Sequence, residues 1–342
     1  MCQPYWRGRK RGGLAGPDLA WVESFCEWLE LGSWRRIALL RGRLSGECLS
    51  LDGASRQGCC DTPASPQCGR GNHSRVGRGK ILAESPVALW AGKNHIPIEK
   101  PSTSAEIATA FENADVVIAI AYGKILSAEV LSIPTYGCLN LHFSLLPAYR
   151  GAAPVQRALL NGESVTGISI FRIDENLDTG PIYVQKKYEI NANANSAEVL
   201  RDLSYLGAES FLQVLNNIKN GIKPKMQETF GISLAPKISK EEARINWGKS
   251  SVSLSNLVRA FTPNPGAWTT HKGSVIKIVE IGSGSMQEKL APGFIHVVDK
   301  KMFVGTADEP IEISKLVPAG KKEMLSADWL NGARVAPGDF FE

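Results

Sequence analysis

The chain has 342 residues, enough for two domains, and its 43% hydrophobic and 21% charged residues are ordinary for a soluble protein. Its longest strongly apolar run, Val116–Ala121, is too short to cross a bilayer, and no apolar segment comes after the first basic residues, so neither a membrane span nor a secretory signal is expected. The net charge of +5 arises in residues 1–80, where 13 Lys and Arg stand against 7 Asp and Glu; the remainder holds 26 against 27. The basic excess is therefore no evidence about the rest of the chain.

Cysteine is distributed just as unevenly. Six of the seven cysteines lie in the first 68 residues, and Cys138 is the exception. No two cysteines have CxxC spacing, and no histidine stands at a zinc-ligand offset from them. The sequence therefore predicts neither a metal site nor a disulfide framework.

Residues 1–70 differ in character from the rest of the chain. Through residue 80 arginine outnumbers lysine 11 to 2, and neither strand nor helix periodicity is sustained. Three interpretations compete: a disordered basic extension, an organellar transit peptide, or a non-native segment from a wrong start or shifted reading frame. The acidic residues argue against a transit peptide, and the Trp and Cys content argues against ordinary disorder. We favour the non-native segment as the working hypothesis.

From about residue 75 the chain becomes regular. A helix is predicted from Ser85 to Lys93, with Pro86 suited to its first turn. The continuous apolar run from Asp115 to Ala121 predicts a buried strand. Further predicted elements are a helix at Ser127–Leu131, a strand at Cys138–His142 and a helix at Pro154–Leu160.

The next segments continue the alternation of strands and helices. Strands are predicted at Thr166–Ile173 and Pro181–Ile190, and then a long helix capped by Asn195 and ended by Gly221. This order predicts an α/β domain with a Rossmann-like, mostly parallel sheet. In such sheets ligands bind beyond the carboxyl ends of the strands, so Asp178 is expected to face His142 across one crevice.

The strand at Cys138–His142 carries the candidate chemistry. Asn140 and His142 alternate with leucines, so the amide and the imidazole share one face of the strand. A polar strand edge with a solvated histidine is the alternative interpretation. Likewise, Asp178 is either a catalytic carboxylate or a loop cap.

The C-terminal part of the chain is expected to form a second domain. Residues 222–247 are polar and rich in lysine, which is typical of a linker, and residues 248–342 contain five short predicted strands with Gly and Pro turns. These strands suggest a small OB-like β-barrel. They are Trp268–His271, Ser274–Ile281, Gly293–Val298, Met302–Thr306 and Ile311–Val317.

Long motifs give the chain a family resemblance. Asn140–Pro147, Tyr149–Pro154 and Leu177–Gly180 closely resemble the formyltransferases that use 10-formyltetrahydrofolate. Other segments resemble the members that formylate a charged initiator tRNA. These segments are Arg78–Lys80 with Ser85–Val87, Lys237–Trp247, Arg259–Pro263 with Pro265–Trp268, and Ala319–Lys322.

The resemblance covers about residues 75–342 and implies a function. The implied reaction is formyl transfer from 10-formyltetrahydrofolate, without a metal, to the α-amino group of initiator methionyl-tRNA, in translation initiation. Catalysis is expected from Asn140, His142 and Asp178, with His142 protonated beside the carboxylate. The folate site is expected at Ser144, Leu145, Leu146 and Pro147, and tRNA contacts at Arg78 and Lys80. A monomeric bacterial cytoplasmic protein is expected, with the mitochondrial matrix as the alternative location.

The resemblance also sets the expected domains. They are a non-matching segment at 1–70, a catalytic domain at 71–221, a linker at 222–247 and a tRNA-binding barrel at 248–342. The family's first strand and its Gly-Thr-Pro-Glu-Phe turn have no equivalent here, although Arg36–Leu40 is apolar enough for a strand. Two alternatives remain: a catalytically impaired or truncated paralogue, or a related enzyme that acts on an amino sugar nucleotide.

Overall fold

A seven-stranded mixed sheet forms the scaffold of the first part of the chain. The computed structural model describes residues 36–41, 47–52, 74–76, 81–83, 92–93, 98–99, 101–120, 122, 125–284 and 286–342. The sheet has the order β5-β2-β1-β6-β7-β8-β9. Its strands are β1 (Arg36–Arg41), β2 (Glu47–Asp52), β5 (Ile98–Glu99), β6 (Val116–Ile120), β7 (Cys138–His142), β8 (Val165–Arg172) and β9 (Ile182–Glu189); β3 (Ser74–Val76) and β4 (Ile81–Ala83) pair separately.

The expected α/β fold is confirmed, and strand direction shows that its sheet is mixed. Among the described strands, β1–β6 and β6–β7 pair in parallel, whereas β7–β8, β8–β9, β1–β2 and β2–β5 are antiparallel. Exposure in the second half of β9 alternates from residue to residue, as expected of an antiparallel edge strand with one solvated face.

The sequence has no recognisable equivalent of the family's first strand, but the structure has a strand at that place in the sheet. β1 lies beside β6 in parallel register, from Ile37 opposite Val116 to Arg41 opposite Ile120. The residues after it are not Gly-Thr-Pro-Glu-Phe in sequence, and β2 pairs with it antiparallel. β6 is buried along most of its length, so its backbone groups need a partner strand on this side. The non-native origin of residues 1–70 stays a prediction, as do the domain boundaries.

Helices cover both faces of β6 and β7. The described helices of this part are α1 (Ser104–Phe111), α2 (Ala128–Ser132), α3 (Pro154–Leu160) and α4 (Ser196–Lys219). α4 begins at Asn195, whose side chain accepts hydrogen bonds from the amides of Ala197 and Glu198, as the sequence predicted. The predicted helix from Ser85 to Lys93 lies largely outside the described residues. No described helix is long and apolar enough to cross a membrane.

The packing of α4 determines which face of β7 remains for chemistry. Leu139 and Leu141 belong to the same buried cluster as Leu203 and Phe211 of α4. At Gly207 the helix approaches so closely that an added Cβ would overlap Leu141. Since side chains alternate along a strand, Asn140 and His142 point to the opposite face.

The C-terminal part is an open antiparallel sheet with two helices. The order β10-β11-β14-β13-β12 leaves β10 and β12 unpaired with each other within the described residues, so the sheet of the expected OB-like domain does not close into a barrel. The C-terminal residues lie between these edges instead: Glu342 bonds to Thr270, and Asp339 accepts from Ile295. The elements are α5 (Ser251–Phe261), β10 (Ala267–His271), β11 (Ser274–Ile281), β12 (Ile295–Val298), β13 (Lys301–Val304), β14 (Ile311–Pro318), β15 (Met324–Leu325) and α6 (Ser326–Ala333).

Candidate functional site

Asn140 and His142 lie side by side on the face of β7 that α4 leaves free. The Asn140 Nδ2 donates a hydrogen bond of 3.1 Å to the carbonyl of Ala119 on β6. This contact uses one of the two amide hydrogens. Asn140 remains partly exposed, so its amide is fixed in orientation but accessible.

The His142 ring is held from two sides. Its side chain is only 5% exposed, and Nε2 lies 2.8 Å from the carbonyl oxygen of Tyr149. A carbonyl only accepts, so Nε2 carries the hydrogen and the neutral ring has its lone pair on Nδ1. Nδ1 faces the Asp178 carboxylate, with 3.7 Å between Nδ1 and Oδ2. This distance exceeds a hydrogen bond, and the two groups form an ion pair only when the ring is protonated.

Burial decides the charge of His142. Loss of solvation lowers the pKa of His142 below its ordinary value, and the Asp178 carboxylate and the Tyr149 carbonyl only partly offset this effect. The direction of this shift opposes the expectation of a protonated histidine. The sequence indicated the carboxylate but not the extent of burial.

The loop that carries Asp178 reaches His142 by an unexpected route. Because β8 is antiparallel to β7, the carboxyl end of β8 lies at the start of β7, where the Ile173 amide donates to the Cys138 carbonyl at 2.7 Å. The loop then returns along the face of the sheet. Asp174 stabilises its turn by accepting hydrogen bonds from the Asn176 amide and the Thr179 hydroxyl. Asp174 is thus the loop cap.

Asp178 is held in a strained backbone conformation. Its φ of 53° lies in the left-handed region, which non-glycine residues seldom adopt. Its Oδ2 accepts a 2.8 Å hydrogen bond from the Gly151 amide, and its backbone carbonyl accepts one of 2.9 Å from Gln227 Nε2. Such strain persists where several contacts determine one conformation.

The segment after β7 is secured by residues 227–235. The Tyr149 amide donates to Ser233 Oγ at 2.8 Å, and the Arg150 amide donates to the Ser233 carbonyl at 2.9 Å. The Ala235 amide donates to the Arg150 carbonyl at 2.6 Å. The predicted linker is thus a structural part of the site. Sequence reasoning missed this role because nothing in its composition marks these contacts.

Gly151 fills a position that has no room for a side chain. Its φ is 125°, and an added Cβ would lie 2.7 Å from the carbonyl oxygen of Ala235. We expect Gly151→Ala to reduce the free energy of unfolding by about 1–3 kcal/mol. Activity should also fall, because displacement of residue 151 moves the amide that donates to Asp178. Urea unfolding of both proteins measures the first effect.

Gly221 offers a matched control for this substitution. Its φ is also positive, at 70°, but nothing lies within 4 Å of an added Cβ. Gly221→Ala therefore reports backbone strain alone. If Gly151→Ala were no more destabilising than Gly221→Ala, the close packing against Ala235 would be energetically irrelevant.

The four residues predicted to bind folate form a tightly bonded turn. Ser144 is 1% exposed, and its hydroxyl donates to the Ala148 carbonyl at 2.6 Å. Ser169, which no sequence motif marked, donates to the Ser144 carbonyl and accepts from the Leu146 amide. Leu146 is also buried, whereas Leu145 and Pro147 are partly exposed. Their contact with folate stays a prediction.

A cavity of about 130 Å³ opens between the polar side chains. It is lined on one side by Asn140 and Asp178 and on another by Ala119, Leu126 and Phe171. The predicted tRNA contacts Arg78 and Lys80 lie outside the described residues. Within the described residues, no group of three or more His, Cys, Asp or Glu side chains is arranged to hold a metal ion.

Two sequence families and several known proteins are similar to this chain. The sequence pattern of the family described as Formyl transferase matches residues 72–215, and that of Formyl transferase, C-terminal domain, matches residues 237–334. The methionyl-tRNA formyltransferase of Salinispora tropica is 38% identical over 271 residues, covering 77% of this chain and 87% of that protein. That of Mycobacterium avium is 41% identical over 264 residues, covering 74% and 83%.

Solved structures share the fold. HypX from Aquifex aeolicus, in complex with tetrahydrofolic acid, aligns at a TM-score of 0.54 with 22% identity, over 66% of this chain and 40% of that chain. The N-formyltransferase from Helicobacter canadensis, in complex with folinic acid and dTDP-3-aminofucose, aligns at 0.52 with 21% identity, over 66% and 81%. At such identities the likeness concerns the fold alone.

Proposed function

The chain belongs to the formyl transferase family, and on that premise we propose that it transfers a formyl group from 10-formyltetrahydrofolate to the α-amino group of initiator methionyl-tRNA. One observation carries the proposal: Asn140 and Asp178 line one cavity, and the Asp178 carboxylate lies 3.7 Å from His142 Nδ1, although Asp178 lies 36 positions beyond His142 in the sequence. Acyl transfer to an amine requires a donor for the developing oxyanion and a site for the proton that the amine loses.

Asn140 has the properties of the oxyanion donor. Its bond to Ala119 fixes the plane of the amide, and the remaining Nδ2 hydrogen is directed by that plane. A pre-oriented donor stabilises charge that develops on the formyl oxygen without reorganisation during the reaction. Asn140 lines the cavity and is therefore within reach of a bound formyl group.

His142 and Asp178 have the properties of a proton relay. The neutral ring offers the Nδ1 lone pair, because Nε2–H is occupied by Tyr149. Nδ1 takes the proton that the attacking amine loses, and the facing carboxylate stabilises the resulting imidazolium. The same proton is then returned to the departing folate nitrogen. The lowered pKa of His142 keeps Nδ1 free at neutral pH.

The cavity has room for the reacting part of the formyl donor, which is a co-substrate. Leu126 and Phe171 supply an apolar wall for a flat ring, and Asn140 and Asp178 supply the polar groups. We place the donor against this wall, near the turn of Ser144–Pro147, whose backbone is fixed by Ser169 and Gln185.

The choice of acceptor rests on the relatives and on the second half of the chain. The relatives at 38–41% identity are named for methionyl-tRNA, and they match residues well beyond the catalytic domain. The C-terminal family match at residues 237–334 belongs to the same proposal, as do Arg78 and Lys80 as tRNA contacts. A bacterial cytoplasmic location accords with this choice of acceptor.

The proposal is tested by an acceptor comparison with the full purified chain. The protein is supplied with formyl donor labelled in its formyl carbon and with methionyl initiator tRNA, uncharged initiator tRNA or a dTDP-linked amino sugar. We expect label only in the methionyl-tRNA sample. Label in the sugar nucleotide would assign the chain to a different formyltransferase, and no label in any sample would identify an impaired paralogue.

A further inference from the structure

Gln227 connects the loop of Asp178 to the segment after β7. Its Nε2 donates to the carbonyls of Asp178, at 2.9 Å, and Gly180, at 2.8 Å. Its Oε1 accepts from Arg150 Nη2 at 2.6 Å and Nε at 3.2 Å. Gln227 is partly buried, whereas the adjacent Met226 is 77% exposed. The side chain is thus turned inward.

The chemistry of Arg150 leaves the amide of Gln227 one orientation. A guanidinium has donors only, so the oxygen of Gln227 must face it and the NH₂ group must face the loop. Both amide hydrogens and both acceptor positions of the oxygen are then in use. The contact is therefore directional, and a side chain of equal size with different polarity cannot replace it.

The same short segment holds Asp178 at two points. Gly151 donates to the carboxylate of Asp178, while its neighbour Arg150 orients the side chain that holds the backbone of Asp178. A left-handed residue at the end of a returning loop needs such support to remain in place. Building on the proposed function, we propose that Gln227, oriented by Arg150, is a positioning residue that keeps Asp178 against His142.

The expected consequence concerns both turnover and the titration of His142. Within the described contacts, His142 is faced by Asp178, the Tyr149 carbonyl and the ring of Phe171, and Asp178 is the charged member. If the loop moves away, the stabilisation of the imidazolium is lost. The pKa of His142 then falls further, and kcat falls with it, because a misplacement of about 1 Å costs up to roughly 10²-fold.

Two substitutions probe the contact from opposite sides. Gln227→Leu removes the polar groups, and Gln227→Glu keeps the shape but directs carboxylate oxygen at two carbonyls while retaining the bond to Arg150. Each is made in the wild type and in Asp178→Asn. Gln213→Leu is the matched control, because Gln213 is exposed on α4, which packs on the face of β7 opposite Asn140 and His142.

Two readouts separate positioning from general destabilisation. The pKa of His142 is measured by NMR of histidine-labelled full-length protein, with the His142 signal assigned from the His142→Gln variant. The kcat and KM values for methionyl-tRNA are measured in parallel. We expect Gln227→Leu and Gln227→Glu to lower kcat about 10- to 100-fold at unchanged KM. Gln227→Leu should also lower the pKa of His142. Gln213→Leu should change neither kcat nor the pKa of His142.

The Asp178→Asn background decides the proposal. We expect Gln227→Leu to cause no further loss of kcat and no further change in the titration of His142 there, because Gln227 acts through Asp178. An equal loss in both backgrounds, or an unchanged His142 titration in the wild-type background, would overturn the proposal. A wild-type protein that formylates nothing but shows the coupled titration would refute the proposed function and support the positioning role.

Discussion

Asp178→Asn is expected to lower kcat for formyl transfer by about 10² to 10⁴, the range associated with loss of general acid–base assistance. Asparagine preserves the shape of the side chain and can still accept the hydrogen bond from Gly151, which is 2.8 Å in the wild type. It removes the charge that stabilises the His142 imidazolium at 3.7 Å. Steady-state formylation of methionyl-tRNA measures the effect.

The pH profile gives this substitution a second signature. The carboxylate opposes the lowering of the His142 pKa by burial, so its removal lets that pKa fall further. A reaction that needs neutral His142 loses activity as the pH drops through this pKa. We therefore expect the acid limb of the profile to move to lower pH while the maximum rate falls.

A charge-neutralising change elsewhere serves as the control. Glu209→Gln removes one negative charge, as Asp178→Asn does, but on the exposed side of α4. It should leave kcat and the pH profile unchanged. If Asp178→Asn matched Glu209→Gln in kcat, Asp178 would be reduced to a loop residue without a part in proton transfer.

Asn140→Ala is expected to lower kcat by about 10² to 10³ through loss of the oxyanion donor. The substitution also removes one hydrogen bond between β7 and β6, worth about 1 kcal/mol, so the fold should persist. The measurement is kcat with both substrates saturating, together with urea unfolding. Asn216→Ala, on the exposed side of α4, is the matched control and should change neither quantity.

Whether Asn140→Ala changes kcat or KM shows which role Asn140 has. A donor aimed at charge that forms only in the transition state affects kcat, whereas uniform binding of the formyl group affects KM. A normal kcat with a raised KM would mean that Asn140 binds the substrate but does not stabilise the developing oxyanion.

Local sequence patterns predicted those parts of the structure that depend on local chemistry. The strand at β7 and the shared face of Asn140 and His142 were predicted from alternation, and α4 from the Asn195 cap and its apolar period. α5 was missed, although Ser250 caps it and Leu254, Val258 and Phe261 have helical spacing.

Other features depend on contacts between distant segments and leave little local signal. The direction of β8 relative to β7 is decided by how the chain returns after α3, and it changed the route by which Asp178 reaches His142. Gln227 lies 49 positions from Asp178, and Ser233 lies 84 positions from Tyr149. The pKa of His142 depends on burial by several elements at once, which no single motif encodes.

The most direct test of the proposed catalytic unit is the single-turnover rate of formyl transfer to initiator methionyl-tRNA, with excess full-length enzyme and saturating 10-formyltetrahydrofolate. It compares the wild type with the combined variant Asn140→Ala, His142→Ala, Asp178→Asn. We predict rapid formation of formylmethionyl-tRNA by the wild type and a rate for the combined variant below that of Asp178→Asn alone, because the Asn140 donor acts on the oxyanion separately from the His142–Asp178 relay. A combined variant that forms product at the wild-type rate would contradict a catalytic role for these three residues.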